Sequence, residues 1–454
     1  MLFERIISEG LAHYSYLIGD GNEAVVIDPR RDCSVYAEMA CNEGMKISSI
    51  LETHRNEDYV IGSLELQART GAEIWHADSQ WDYKYGKPVS DGQRWKVGRL
   101  ELQALLTPGH TPGMMSYILK DPSGLPWVVF TGDALFAGEV GRVDLLGMDK
   151  APEMAGILYH SIFDRLLPLG DGVIVCPAHG AGSVCGEAIA ERVWTTMGME
   201  RLTNPRLQHR EKAEFIEDLL KNQPEKPPYF EKIERFNQEG APLLGPLPAP
   251  KPIAPKEFEA LHSDSFILDI RKETSFASAH VAGSQSIWLE GLASFEGWFL
   301  PYDLPVLIVS EGECPEEAVM ILIREGFDNI AGYLAGGMLR WHMAGLRSTS
   351  IGTITVHDIC QRLDSGEELN ILDVRSDEEL ARGGRIPRAQ HIHVTQIPKR
   401  AMEMPKKEPL FIFCGSGLRS MIAASYLQCL GWRELTVVLG GMSGWKSIRC
   451  PIQR

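Results

Sequence analysis

Among its 454 residues this chain has no long apolar run, no basic tract and no regular spacing of cysteines. No stretch approaches the ~18 apolar residues of a membrane-spanning helix, so no membrane partner is expected. The start, MLFERIISEGLAHYSYLIGD, carries Glu4 and Glu9 and no long apolar core, so it reads as neither signal peptide nor anchor. A net charge of −16 leaves nothing to neutralise nucleic-acid phosphates or an anionic surface. Nine cysteines, an odd number scattered from Cys33 to Cys450, do not make a disulfide framework, and a reducing cytoplasm is the expected compartment. What is present, 44% hydrophobic and 23% charged residues, suits a globular protein with sizeable cores. Its length suggests about three domains.

The stretch APLLGPLPAPKPIAPKEF (241–258) is dense in proline, which stiffens a chain and excludes regular ladders. Residues 241–254 are therefore expected to link domains, with one large α/β domain at 1–240. In that domain YSYLIG, AVVID, LELQALL, MSYIL and WVVFTGD read as strands. CSVYAEMACNEG and PEMAGILYHSIFDRLL read as helices, suggesting two sheets with helices outside. Beyond 254 the chain repeats itself. Asp269 with Asp373, Gly336 with Gly440 and Trp341 with Trp445 all stand 104 residues apart. Two copies of one α/β domain, 255–350 and 351–454, follow, each alternating short apolar runs with helical stretches as a parallel sheet does.

Four polar positions in the first domain stand where a strand gives way to a loop: His54 in THRNED, His110 in TPGHTPG, Asp133 in FTGDALFAGEVGRVDL and His179 in CPAHGAG. With GHTPG, TGDALF and GRVD in that order, and TTMGMERLTNPRLQ at 195–208, the chain resembles the metallo-β-lactamase superfamily, in its glyoxalase II and persulfide dioxygenase branches. The resemblance implies an αββα sandwich. It also exposes a departure. A two-metal member carries T-H-x-H-x-D-H, and here Asn56 and Tyr59 stand in place of two of its histidines. Asn and Tyr are poor substitutes for imidazole on a divalent metal. What remains is His54, His110 and Asp133, two histidines and a carboxylate, the donor set of non-haem Fe(II) oxygenases. Persulfide dioxygenases hold a single iron in a similar way, which implies oxidation of a small thiol persulfide by O₂ to sulfite and free thiol. Arg142 is similar to the family's substrate-anchoring arginine, and Asp58 and His179 are expected to hydrogen-bond around the ligands. Cys185, in HGAGSVCG, resembles a cysteine of fused dioxygenase–sulfurtransferase chains; it either carries a persulfide or fills a small buried space. Two rival readings stay open: a zinc thioester hydrolase of glyoxalase II type, and a non-oxidising sulfur carrier without metal.

In LFIFCGSGLRS (410–420), Cys414 ends an apolar strand, a glycine-containing loop follows, and Arg419 opens a helical stretch. Backbone N–H groups at such a helix start cradle an anion, and with Arg419 they favour a thiolate able to attack the outer sulfur of a persulfide or thiosulfate. With LDVR, GRIPRAQHI and GG-x-x-x-W around it, the segment resembles the rhodanese domain. The first copy places Ser310 and Pro315 at the positions of the cysteine and arginine, amid Glu311, Glu313, Glu316 and Glu317, with Cys314 out of register. It is expected to be inactive and to serve in packing or docking, with an open sheet edge that suits self-association.

Overall fold

Two sheets grow from the alternating apolar pattern of the first part of the chain. The computed structural model describes residues 1–186, 188–221, 223, 225–404 and 409–452. One sheet contains, side by side in chain order, β1 (Leu2–Ser8), β2 (His13–Asp20), β3 (Glu23–Ile27), β4 (Lys46–Leu51), β5 (Glu73–His76) and β6 (Lys87–Pro88). The other contains β7 (Arg94–Val97), β8 (Leu100–Leu106), β9 (Met115–Lys120), β10 (Pro126–Gly132), β11 (Ile174–Pro177) and β12 (Thr195–Thr196), again in chain order. Successive side chains of a strand face opposite ways. Ile18, Val25, Ile27, Tyr117, Leu119, Val128 and Phe130 accordingly meet between the sheets. Their neighbours Leu17, Ala24, Val26 and Ile50 pack outward against Tyr36, Ala40 and Leu66 of helices Ser34–Asn42 and Ser63–Thr70. Ile118 and Val129 pack outward on the other side, against Met154 and Leu158 of helix Ala151–His160. This is the expected αββα sandwich. Each such buried side chain contributes about 1.5–3 kcal/mol, and a one-residue slip would turn all of them to the wrong face, so register is tightly held.

Two further sheets follow. The first joins β13 (Pro252–Ile253), β14 (Phe266–Asp269), β15 (Gln285–Ser286), β16 (Val306–Val309) and β17 (Ile330–Leu334) in the order β13-β17-β16-β14-β15. The second joins β18 (Gly352–Thr355), β19 (Asn370–Asp373), β20 (Gln390–His391), β21 (Leu410–Phe413) and β22 (Leu435–Leu439) in the order β18-β22-β21-β19-β20. All pairings in both are parallel. Strand for strand the two orders are the same, so the sequence repeat is a repeat of topology. The central strands β16 and β21 are buried at every residue, as strands covered on both faces must be.

By compactness the chain divides into Met1–Leu247 with Ile323–Gly326, and Pro248–Leu322 with Phe327–Arg454. Three expectations need correction. The proline-rich stretch does join a ladder, because Pro252 and Ile253 pair with Tyr333 and Leu334 at a sheet edge, where a missing N–H is tolerated. The cysteines, read as making no disulfide framework, do include one bonded pair: Cys360 and Cys450 form a disulfide, brought together with Cα atoms 6.1 Å apart in one core. The outer strand β15 is not an open edge, since Ser425 of helix Leu418–Cys429 accepts from the Ser286 N–H at 3.0 Å and from Gln285 at 2.8 Å. No helix among the described residues is long and apolar enough to cross a membrane.

Candidate functional site

The loop after β4 is anchored before it presents anything. Asp28, at φ +49° just past β3, accepts from the Thr53 backbone N–H at 2.8 Å and from its hydroxyl at 2.7 Å. With its one proton given to Asp28, Thr53 Oγ1 can only accept from His54 Nδ1, 2.9 Å away. His54 therefore carries its proton on Nδ1 and turns the Nε2 lone pair inward. His110, past the end of β8, is held alike: Nδ1 donates to the carbonyl oxygen of Arg142 at 2.9 Å. Asp133 follows β10, and its Oδ1 accepts from His179 Nδ1 at 2.9 Å, leaving Oδ2. The backbone crowds here: a Cβ on Gly141 would stand 1.9 Å from the Asp133 carbonyl oxygen.

His54 Nε2, His110 Nε2 and Asp133 Oδ2 are buried with no hydrogen-bond partner. Asp133 Oδ2 lies 3.9 Å from the first and 3.5 Å from the second. Donors each about 2.0–2.2 Å from one metal stand roughly 3–4 Å apart, so the three fit a common ion. Orphaned buried polar atoms cost about 1–3 kcal/mol each, which a cation would offset. Burial alone would depress His110, but the Glu57 and Asp133 carboxylates outweigh it and push it up to about 9. Burial acts the other way on Asp133, and His179 and His54 overcome it, holding the carboxyl well below the usual range.

His179 does not turn toward His54 and His110. It sits between carboxylates, Nδ1 at 2.9 Å from Asp133 and Nε2 at 2.9 Å from Asp58 Oδ2. Its burial is outweighed by those two charges, which raise it well above an ordinary histidine. Asn56 donates to the His54 carbonyl oxygen at 3.3 Å, and Tyr59 packs its ring on His13 with centroids 3.8 Å apart. Arg142 commits its fork to Asp144, with bonds of 2.7 and 2.8 Å, while its carbonyl oxygen holds His110. Cys185 is fully buried, and burial, then Asp58 and Glu57, push its thiol well above the ordinary value. Sequence reasoning missed Glu57. Its Oε1 lies 3.2 Å from His110 Nε2 and its Oε2 3.8 Å from His54 Nε2. Burial would raise its carboxyl, but His110 and His54 bring it down to about 2. The available signal was a carboxylate inside the very loop whose histidines are missing.

In the last sheet Cys414 follows β21, fully buried, and its sulfur accepts from the Gly417 N–H at 3.1 Å as helix Leu418–Cys429 begins. Arg419 turns both terminal nitrogens to Glu379, each at 2.6 Å. Outside the loop lies a cavity of about 330 Å³ lined by Arg375, Glu379, Arg382, Gly415, Ser443 and Lys446. In the earlier copy Ser310 donates to the Glu313 carbonyl oxygen at 2.7 Å, and Cys314 is exposed.

The Metallo-beta-lactamase superfamily matches residues 9–179, and the Rhodanese-like domain matches residues 254–344 and 355–448. Persulfide dioxygenase ETHE1, mitochondrial, of Bos taurus is 30% identical over 220 residues, covering 46% of this chain and 76% of that protein. Hydroxyacylglutathione hydrolase GloC of Haemophilus influenzae is 28% identical over 212 residues, covering 42% and 90%. A crystal structure of a metallo-beta-lactamase from Staphylococcus aureus subsp. aureus COL superposes with a TM-score of 0.66 at 30% identity, covering 74% of this chain and 98% of its own.

Proposed function

Because the chain belongs to the metallo-β-lactamase superfamily, with persulfide dioxygenases among its homologues, and carries two rhodanese-like domains, we propose that it is a persulfide dioxygenase joined to a sulfurtransferase. In this reading residues 1–240 hold one Fe(II) through His54, His110 and Asp133, residues 255–350 are a catalytically silent copy, and residues 351–454 transfer sulfur through Cys414. The balanced reaction is RSSH + O₂ + H₂O → RSH + H₂SO₃, in which the outer sulfur is oxidised and dioxygen reduced. The observation that carries it is the convergence of three buried, partnerless donor atoms from three separate loops. Iron bound there would activate oxygen beside the persulfide sulfur.

The chain's own residues fix the donors. Thr53 and the Arg142 carbonyl oxygen each hold one imidazole proton on Nδ1, so that a metal displacing any proton on Nε2 would meet the lone pairs of both rings. His179 Nδ1 occupies Asp133 Oδ1, so that this carboxylate keeps only Oδ2 for an ion shared with His54 and His110. Arg142 contributes charge next to Glu57 and Cys185 as well as its hold on His110. At Cys414 the thiolate attacks the outer sulfur of thiosulfate or a persulfide, the S–S bond breaks, and sulfite or thiolate leaves. The Gly417 N–H steadies the sulfur. Arg382 and Lys446 at the cavity suit an anionic substrate.

The likeness to a hydroxyacylglutathione hydrolase supports a second reading, a zinc thioester hydrolase with attached rhodanese domains. One experiment separates the two. Anaerobically prepared, iron-loaded protein is mixed with glutathione persulfide while dissolved oxygen and sulfite are followed. Oxygen uptake with sulfite release is expected; zinc-dependent thioester turnover without oxygen consumption would replace the dioxygenase reading with the hydrolase.

A further inference from the structure

Glu57 is fully buried, lies among the donor atoms of the metal centre, and has no part in the triad. Its two oxygens are in different situations. Oε1 accepts from the Cys185 thiol at 3.4 Å and faces His110 Nε2 at 3.2 Å. Oε2 is buried with no hydrogen-bond partner and faces His54 Nε2 at 3.8 Å. His54, Glu57 and His110 each offer an atom to one point, all within 4.8 Å of one another. A carboxylate oxygen left bare at that place has the same signature as Asp133 Oδ2, which is also buried and partnerless. The loop explains how it arrives. Asn56 folds back on the His54 carbonyl oxygen and Tyr59 turns to His13, so neither replaces a lost imidazole. The intervening residue faces inward instead.

We propose that Glu57 is a fourth protein ligand, so that this chain binds one divalent ion with two imidazoles and two carboxylates. The inference rests on the reading of His54, His110 and Asp133 as a metal site, though not on the metal being iron. Two carboxylates neutralise a divalent charge that a triad with one carboxylate leaves half compensated. An anionic oxygen in place of an imidazole also hardens the donor set and favours the higher oxidation state of a redox metal. The Cys185 thiol, hydrogen-bonded to the other oxygen of the same carboxylate, holds that carboxylate in place.

Cobalt(II) added to the metal-free full chain is the test, because its visible absorption reports the donors directly. Wild type, Glu57→Gln, Glu57→Asp and Asp133→Asn are titrated, with competition against a chelator for affinity. Glu57→Gln is expected to bind cobalt at least about 100-fold more weakly and to show a shifted visible spectrum. Glu57→Asp, which keeps the carboxylate on a shorter arm, recovers part of the affinity and the wild-type band shape. Thermal unfolding of the metal-free variants shows that each is folded, and the comparison rests on Glu57→Asp if Glu57→Gln is not. Wild-type affinity and spectrum in Glu57→Gln, or, where Glu57→Gln does not fold, undiminished cobalt affinity in Glu57→Asp while Asp133→Asn loses cobalt, would overturn Glu57 as a ligand and leave the triad standing. No cobalt binding by wild type would overturn both.

Discussion

Asp133 does two things with two oxygens. Oδ1 accepts from His179 while Oδ2 lies among the imidazole nitrogens. Asp133→Asn places an amide where either an N–H opposes the His179 proton or the metal loses an anionic donor, and both outcomes disfavour a bound cation. Its expected metal affinity falls by about 100-fold or more, with oxygen uptake lost in step; elemental analysis and an oxygen electrode check this. His54→Ala should behave in the same way, and uptake that survives it would contradict the assignment. Cys414→Ser should abolish thiocyanate formation from thiosulfate and cyanide and leave the metal content unchanged. His54, His110 and Asp133 were legible because each sits in a short motif after an apolar run. Glu57 was not, because nothing in THRNED says which side chain turns inward.

The loops are held by their neighbours in sequence and by backbone crowding. Gly141 passes so close to Asp133 that a methyl group would sit 1.9 Å from its carbonyl oxygen. Gly141→Ala is thus expected to displace the whole Asp133 turn and to lose metal binding although no ligand is changed, as metal analysis of the purified variant would report. In the thiol loop, Glu379 joins helix Asp377–Gly383 to Arg419. Burial would raise its carboxyl from 4.5, but Arg419 and the Ser376 N–H bring it down to about 2. A carboxylate with a depressed folded pKa stabilises fully above its unfolded value and loses that contribution as pH falls through the folded one. Glu379→Gln should therefore lower Tm near neutrality, by an amount corresponding to no more than about 1 kcal/mol for so solvent-screened a pair. The gap to wild type should close as pH drops from about 4.5 toward 2 in thermal scans.

Across the whole molecule the duplication matters for packing. The first rhodanese-like copy buries its β15 edge under helix Leu418–Cys429, the helix that begins at the Cys414 loop, through Ser425. It supports the second copy by contact. The Cys360–Cys450 disulfide closes a span of 90 residues across that second copy. Loop-closure entropy puts its contribution at up to about 4–5 kcal/mol. Replacing both cysteines by serine should lower the denaturation midpoint of the thiosulfate sulfurtransferase activity and leave oxygen uptake at its wild-type midpoint. The sequence indicated only that the cysteines are scattered and odd in number; their proximity depends on how helix Val356–Asp364 and the chain after helix Gly441–Ser447, 90 residues apart, come to share one core.

By itself the sequence determined the fold class, the duplication at 104 residues, and which loops carry imidazole, carboxylate and thiol, because periodicity and motif spacing are local properties. The pentapeptide LELQA marks the boundary of that power. At 64–68 it lies in helix Ser63–Thr70, and at 100–104 it lies in strand β8. Only the surroundings decide. The first copy buries Leu66 against the outer face of one sheet, whereas the second alternates Leu102 and Ala104 into the core between the sheets. The same rule governs the loop after β4. Its residues were written in the sequence, but which of Asn56, Glu57 and Tyr59 faces the histidines was settled by what each could pack or bond against in three dimensions.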